Sequence, residues 1–227
     1  MQPLDLFFLA YLFVFLPYAA VRGVRRVRKG TVAIPPTGKR QQGTLAMMAM
    51  IFLLAYMTAR GNGLALGIRP RNVATALPWT LLFAAVCAGW LVTRWRAPRA
   101  PSDAVLTPEK LAPHGTKEGI IWIVTSCTAG VVEEYVYRGV GTTLLAWYAG
   151  GLLPASIICA GAFGIVHAAQ GKRGMLVTFL FALGAQALIY ATGALGPAML
   201  VHALYDMAAG WVLAKKYPRA APEVLCV

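Results

Sequence analysis

Charged side chains are scarce in this sequence, and their scarcity excludes most classes of soluble domain. Only 13% of the 227 residues are charged and 59% are hydrophobic, whereas a soluble domain carries roughly a quarter charged residues. The mean hydropathy is +0.63. Together with long apolar runs, these values predict a polytopic membrane protein, with a single integral domain over residues 1–227.

Acidic residues are the scarcest charged kind, since 8 Asp and Glu stand against 21 Lys and Arg, a formal net charge of +13. Such an excess can indicate a nucleic-acid-binding protein, but here the basic residues cluster beside apolar segments. That placement is expected of topology signals and of contacts with anionic lipid headgroups. We therefore expect membrane lipids, and no nucleic acid, among the partners.

Cysteine is also rare, with four residues and no C-x-x-C spacing: Cys87, Cys127, Cys159 and Cys226. Three of the four lie within apolar segments. We interpret them as small core residues, because free cysteine behaves as a small hydrophobe in most proteins.

Seven apolar segments predict an all-α bundle of about seven transmembrane helices. The predicted spans are Leu4–Val21, Thr44–Ala59, Val73–Val92, Gly119–Ala149, Pro154–Ala169, Met175–Ala191 and Leu195–Ala214. The first is not interpreted as a signal peptide, because no basic residue precedes it and a basic cluster follows it. The linker up to about Gly43 is expected to be irregular. The proline-rich loop from Arg94 to Glu118 is expected to be flexible.

The basic residues also predict the orientation of the bundle. With the N-terminus outside, 17 Lys and Arg fall in inner segments, 3 fall in outer segments, and Arg138 remains within the membrane. Inner loops of membrane proteins are enriched in Lys and Arg. This split predicts an outer N-terminus and an inner C-terminus.

The fourth span contains three charged residues, Glu133, Glu134 and Arg138. A charge at the centre of a membrane helix costs roughly 3 kcal/mol on insertion scales, so such residues face a bundle interior or a wet cavity. The same argument applies to three residues in spans five and seven: His167, His202 and Asp206. We expect all six side chains to converge on one polar cavity.

Helical spacing predicts how these side chains pair. Residues four apart share a helix face, so Glu134 can pair with Arg138. His202 can pair with Asp206 in the same way. Glu133 is rotated about 100° from Glu134, which leaves its carboxylate free to face a substrate. For the pair of Glu134 and Arg138, a purely structural role and a catalytic role both stay open.

Three motifs now stand in order on separate spans: Glu133-Glu134-x-x-x-Arg138, Phe163-x-x-x-His167 and His202-x-x-x-Asp206. This pattern resembles the CAAX-protease and bacteriocin-processing family (CPBP, also called Abi), which includes the prenyl-protein type II CAAX endopeptidases. Its members are glutamate-dependent intramembrane proteases. The resemblance covers roughly Gly119 to Trp211, and residues 119–214 are therefore expected to form the catalytic half.

The resemblance implies a role for each site residue. Glu133 and His167 would hold the hydrolytic water, and His202 with Asp206 would stabilise the tetrahedral intermediate. Arg138 would keep Glu134 ionised. The eukaryotic enzymes carry Asn at the position of Asp206, and a carboxylate cannot donate to an oxyanion unless it is protonated. We therefore expect Asp206 to orient His202 instead.

The function implied by the resemblance is that of an endopeptidase that needs no cofactor. Its substrate would be a membrane-associated or lipid-modified protein or peptide. Frequent Ala and a preference for Arg over Lys suggest a bacterial source, hence the bacterial inner membrane. Because His167 lies toward the inner end of its span, the site is expected to open toward the cytoplasmic side.

Two other function classes are compatible with these residues. A zinc-dependent metalloprotease would use Glu133, His167 and His202 as ligands, although no H-E-x-x-H helix is present. A transporter or proton relay also uses membrane carboxylates and histidines, and an immunity or scaffold protein could share the fold. Intact motifs and the lack of an evident inverted repeat disfavour these non-enzymatic functions.

Overall fold

Helices account for all the regular secondary structure of the described chain, which is residues 2–98 and 103–218 in the computed structural model. We number eight helices in chain order: α1 (Pro3–Arg28), α2 (Thr37–Gly61), α3 (Val73–Arg96), α4 (Pro108–Leu111), α5 (Gly115–Ala146), α6 (Leu152–Val166), α7 (Gly171–Thr192) and α8 (Leu195–Lys216). A short 3₁₀ turn, Ala168–Gln170, joins α6 to α7. The predicted all-α membrane bundle is confirmed.

Six helices are long and apolar enough to cross a membrane, and α6 is a shorter apolar helix. With 15 residues, α6 extends about 22 Å, less than the roughly 30 Å of a hydrocarbon core. It begins after Gly151, whose φ of 130° is a backbone conformation available to glycine. It ends before His167, so this histidine lies at a helix end rather than inside a span.

Several helix boundaries differ from those expected. α1 continues to Arg28 and α2 begins at Thr37, so most of the predicted irregular linker is helical. Arginine is a good helix former, which explains why the basic cluster extends α1. The expected turn at residues 171–174 is the first turn of α7, where the Lys172 N–H donates to the Asp103 carboxylate, with 3.2 Å to Oδ2.

The described part of the loop between α3 and α5 is held by hydrogen bonds, although we expected it to be flexible. Arg40 Nη2 donates to the Lys110 carbonyl at 2.7 Å. The Leu106 N–H donates to the Ala169 carbonyl at 2.9 Å. Lys216 Nζ donates to the carbonyl of Ala97, the first residue after α3. The loop is therefore tied to α2, to the 3₁₀ turn and to α8.

The cysteine prediction holds for two of the three described residues. Cys87 and Cys159 are buried, whereas Cys127 is exposed on the surface of α5. In a chain with membrane-spanning helices, an exposed apolar surface faces lipid rather than water, so burial in the protein core is not required. Cys226 lies outside the described residues.

α5 is the central helix of the site and packs against α2 and α8. A Cβ atom at Gly130 would lie 2.7 Å from backbone atoms of Met199 and Ala203, so only glycine permits this approach of α8. Small residues allow such close helix packing in membranes. This crossing brings Glu133 and Glu134 to the level of His202.

Directly after Glu133, α5 widens into a π-helix over Glu134–Gly141. Thr142 Oγ1 donates to the Tyr137 carbonyl at 2.9 Å, five residues back along this widened segment. A Cβ atom at Gly141 would lie 2.9 Å from the side chain of Leu12, so glycine lets α1 pack closely here. π-helical segments are rare and are frequent at functional sites.

The orientation predicted from the basic residues can be tested by cysteine labelling. In a variant without the four native cysteines, we expect Lys172→Cys to react from the cytoplasmic side and Arg69→Cys from the opposite side. Both side chains are exposed, and inner loops collect the basic residues. Labelling of both positions from one side would contradict the predicted arrangement of spans.

Candidate active site

Glu134 lies at the centre of a buried ionic cluster. Its side chain is fully buried, and its Oε1 atom lies 2.7 Å from His202 Nδ1 and 3.4 Å from Arg138 Nη1. The contact with His202 has hydrogen-bond length, and that with Arg138 is the ion pair expected from the four-residue spacing. Glu134 therefore joins α5 to α8.

His202 has carboxylates facing both ring nitrogens. While Nδ1 contacts Glu134, Nε2 lies 3.7 Å from Glu133 Oε2 and 3.7 Å from Asp206 Oδ2. The pair of His202 and Asp206 is thus present. However, the shorter contact that orients the imidazole comes from Glu134, because 3.7 Å is too long for a hydrogen bond. The ring also packs edge-on against Phe181, with centroids 4.9 Å apart.

Asp206 is the most exposed residue of the cluster, with 33% of its side chain accessible. Its backbone carbonyl accepts a hydrogen bond of 2.8 Å from Trp122 Nε1 on α5. This hydrogen bond joins α5 to α8. The position of Asp206 is thus determined by the packing of α8 against α5.

Arg138 lies over an aromatic ring rather than within a set of acceptors. Its Cζ atom is 4.2 Å from the ring centroid of Phe163, a cation–π contact. Among the described residues, Nη1 and Nη2 have no hydrogen-bond partner. Phe163, the first residue of the second motif, therefore positions the guanidinium.

His167 is held by a backbone contact at the end of α6. Its Nδ1 atom lies 2.8 Å from the Phe163 carbonyl oxygen. A carbonyl can only accept, so Nδ1 carries the proton and the neutral ring has its lone pair on Nε2. The ring of Phe163 lies 4.8 Å from the imidazole. This arrangement leaves Nε2 as an acceptor.

Glu133 and His167 line the same small cavity, which has a volume of about 30 Å³. The Glu133 side chain is 18% exposed. Side chains from α1, α2, α5 and α6 complete the walls, among them Leu16, Met47, Met48, Ile51, Tyr137 and Phe163. The cavity is therefore apolar except for three side chains. Two are Glu133 and His167, which are expected to hold the hydrolytic water, and the third is Tyr137.

The structure places the six predicted site residues in one region. Five are joined by the ion pairs described above, and the sixth, His167, shares the cavity with Glu133. Sequence reasoning missed Tyr137, whose hydroxyl is buried without a hydrogen-bond partner in the described chain. Its position, four residues after Glu133 on the same face, is the signal that could have identified it.

The zinc alternative would need Glu133, His167 and His202 to be grouped around one ion. Within residues 2–98 and 103–218, no group of three His, Cys, Asp or Glu side chains is placed to hold a metal ion. His202 directs Nδ1 at Glu134 and His167 directs Nδ1 at a backbone carbonyl. Nε2 of each ring is left free, and a histidine that binds a metal commonly directs its other nitrogen at a carboxylate or a backbone carbonyl in this way. The proposed zinc ligands are not grouped around one point in the described residues.

Comparison with known proteins gives one family. Residues 116–208, which include all six predicted site residues, match the family described as Rce1-like, type II CAAX prenyl endopeptidase. No curated protein and no solved structure matches the chain. The part of the chain that carries the buried glutamates and histidines is therefore related to the Rce1-like type II CAAX prenyl endopeptidases, which confirms the resemblance indicated by the three motifs.

Proposed function

We propose that this protein is a glutamate-dependent intramembrane endopeptidase. The observation that carries the proposal is the cavity shared by Glu133 and His167. A water needs roughly 10–15 Å³ and two or more polar partners, and a cavity of about 30 Å³ provides the space. A carboxylate oxygen and the Nε2 lone pair of His167 provide the acceptors.

In the proposed reaction, Glu133 is the general base. It removes a proton from the water, and the water oxygen attacks the carbonyl carbon of the scissile peptide bond. The protonated Glu133 then gives its proton to the leaving amine nitrogen, and the C–N bond breaks. The products are a carboxylate and an amine, and no covalent intermediate forms with the chain.

The oxyanion of the tetrahedral intermediate needs hydrogen-bond donors placed beforehand. The His202 ring donates through Nε2 when both its nitrogens carry protons, and Glu134 holds its other nitrogen at 2.7 Å. Asp206 lies 3.7 Å from the same Nε2 atom, too far for a hydrogen bond, so we assign it the role of stabilising the doubly protonated ring by its negative charge. The buried guanidinium of Arg138 forms an ion pair with Glu134 and thereby stabilises the ionised form of this carboxylate.

For the substrate, we propose a membrane-associated protein or peptide. The family of prenyl endopeptidases that residues 116–208 match suggests that this substrate is lipid-modified. An apolar cavity inside a bundle of membrane-spanning helices favours a substrate that already lies in the bilayer. We further propose that the site opens toward the cytoplasmic face of a bacterial inner membrane, because the basic residues cluster at that end.

The direct test compares C-termini of membrane proteins in cells that express the wild-type chain or Glu133→Ala. We expect a small set of proteins to end at internal positions only with the wild-type chain. A synthetic peptide that spans one such cleavage site should then be cut by the purified protein. Identical C-termini in the two strains, at equal abundance of the two chains, would overturn the proposed function.

The proposal also includes catalysis without a metal cofactor, and this part has its own test. We expect purified protein to contain well under one zinc per chain by elemental analysis. Cleavage of the peptide should persist after extended treatment with a strong chelator. Stoichiometric zinc, with activity lost on chelation and restored by added metal, would instead make Glu133, His167 and His202 candidate ligands.

A further inference from the structure

A groove outside the candidate active site has the chemistry of a lipid-binding site. It has a volume of about 390 Å³ and lies between the last turns of α1 and the exposed Ile165 of α6. This volume lies within the roughly 300–1,000 Å³ of typical small-molecule sites. The groove is lined by Pro17, Tyr18, Val21, Arg22, Arg25 and Ile165.

The groove changes from apolar to cationic along α1. Its residues on α1 are three or four positions apart and therefore form one continuous helix face. Pro17 and Val21, with Ile165, make the apolar half, and Arg22 and Arg25 make the cationic half. A ligand that fills both halves has an apolar chain and a negatively charged head.

The groove also lies at the depth that a phospholipid headgroup occupies. α1 has 26 residues and is about 39 Å long at 1.5 Å per residue, whereas the hydrocarbon core is about 30 Å thick. The surplus falls at the end that carries the arginines, since the rest of α1 is apolar apart from Asp5 in its first turn. Arg22 and Arg25 are thus placed beside lipid phosphates.

The side chain of Arg22 is held by Tyr18, but its charge has no acidic partner in the described chain. Its Nη1 atom donates to the Tyr18 hydroxyl at 3.3 Å, and its Cζ atom lies 5.9 Å from the Tyr18 ring centroid. Within residues 2–98 and 103–218, no carboxylate forms an ion pair with Arg22 or Arg25. By contrast, Arg28 donates to the Asp103 carbonyl at 2.8 Å.

From this charge complementarity, we propose that the groove binds one anionic phospholipid. Its phosphate contacts Arg22 and Arg25, and the upper part of an acyl chain packs on Pro17, Val21 and Ile165. Membrane proteins hold anionic headgroups in basic pockets between helices. The site is separate from the cavity of Glu133 and does not depend on the proposed proteolytic activity.

The test measures binding of dioleoylphosphatidylglycerol to the delipidated full chain by native mass spectrometry, with dioleoylphosphatidylcholine as the neutral comparison. We expect one tightly bound phosphatidylglycerol. In Arg22→Gln/Arg25→Gln its affinity should fall about thirtyfold, which corresponds to about 1 kcal/mol per arginine. Both side chains are exposed, so the variant should fold.

Two further variants separate the groove from general charge. Arg26→Gln/Lys29→Gln removes the same charge from exposed residues of the same helix end that lie outside the groove, and it should bind phosphatidylglycerol like the wild type. Val21→Trp fills the apolar half and should weaken binding without a change of charge. Equal affinity for both lipids, or an equal loss in the charge-matched control, would overturn the proposal. The proposal would also be overturned if the wild-type protein formed a dimer that Arg22→Gln/Arg25→Gln did not form. The groove would then bind a second copy of the chain rather than a lipid.

Discussion

Glu133→Gln is expected to abolish proteolysis while the protein still accumulates in the membrane. Removal of a general base costs about 10²- to 10⁴-fold in rate, so cleavage should fall by at least about 10²-fold. The fold should tolerate the change. The contact of Glu133 with His202 is 3.7 Å long, so no hydrogen bond of normal length to that ring is lost.

Two measurements on the same preparations decide this prediction. The turnover of the identified peptide should disappear, whereas the thermal midpoint should change by less than about 3 °C, the shift for about 1 kcal/mol in a chain of this size. The matched control is Glu118→Gln, another glutamate on α5, which lies 15 residues before Glu133. Near-wild-type turnover of Glu133→Gln would show that another group is the base.

Glu134→Gln is expected to lower both activity and abundance, because this residue holds two helices together. Its carboxylate is the ion-pair partner of Arg138 and the hydrogen-bond partner of His202. Removal of one member of a buried ion pair costs roughly 3–5 kcal/mol, since the remaining charge is buried without compensation. The thermal midpoint should therefore fall by about 6 °C or more.

A second variant separates two effects of Glu134→Gln: the cost of leaving the Arg138 charge unpaired, and the loss of the carboxylate that contacts His202. In Glu134→Gln/Arg138→Met the buried cation is also removed, so that no arginine charge stays buried without its partner. We expect abundance and thermal midpoint to recover, whereas activity stays low because His202 is no longer held by a carboxylate. If activity recovered together with abundance, Glu134 and Arg138 would have only a structural role.

These expectations depend on the site residues, which are a prediction from the sequence. A carboxylate, imidazole or guanidinium inside an apolar helix is costly unless it faces polar partners. Besides Asp5 at the start of the first span, the predicted spans contain six such residues, and these are the six predicted site residues. The four-residue spacing also predicted the contacts of Glu134 with Arg138 and of His202 with Asp206, and both are present.

Contacts between helices could not be predicted in the same way. Spacing shows which residues share a face, but it does not show which faces meet. The hydrogen bond between Glu134 and His202 spans 68 positions, and it exists because Gly130 lets α8 approach α5. Because spacing shows only neighbours on the same helix, the sequence predicted that Asp206 orients His202. In the structure, Glu134 on another helix makes the shorter contact with this ring.

Composition therefore determined that the chain is an all-helical membrane protein, and the cost of buried charge predicted which residues form the site. Tertiary structure decided the rest, for three physical reasons. α6 ends at Val166 because the backbone leaves the helical conformation at His167 and forms a 3₁₀ turn from Ala168, although the predicted span continued to Ala169. The guanidinium of Arg138 lies over Phe163 because two helices meet at that point. The cavity and the lipid groove form where side chains of separate helices leave space, and a one-dimensional pattern contains no information on such space.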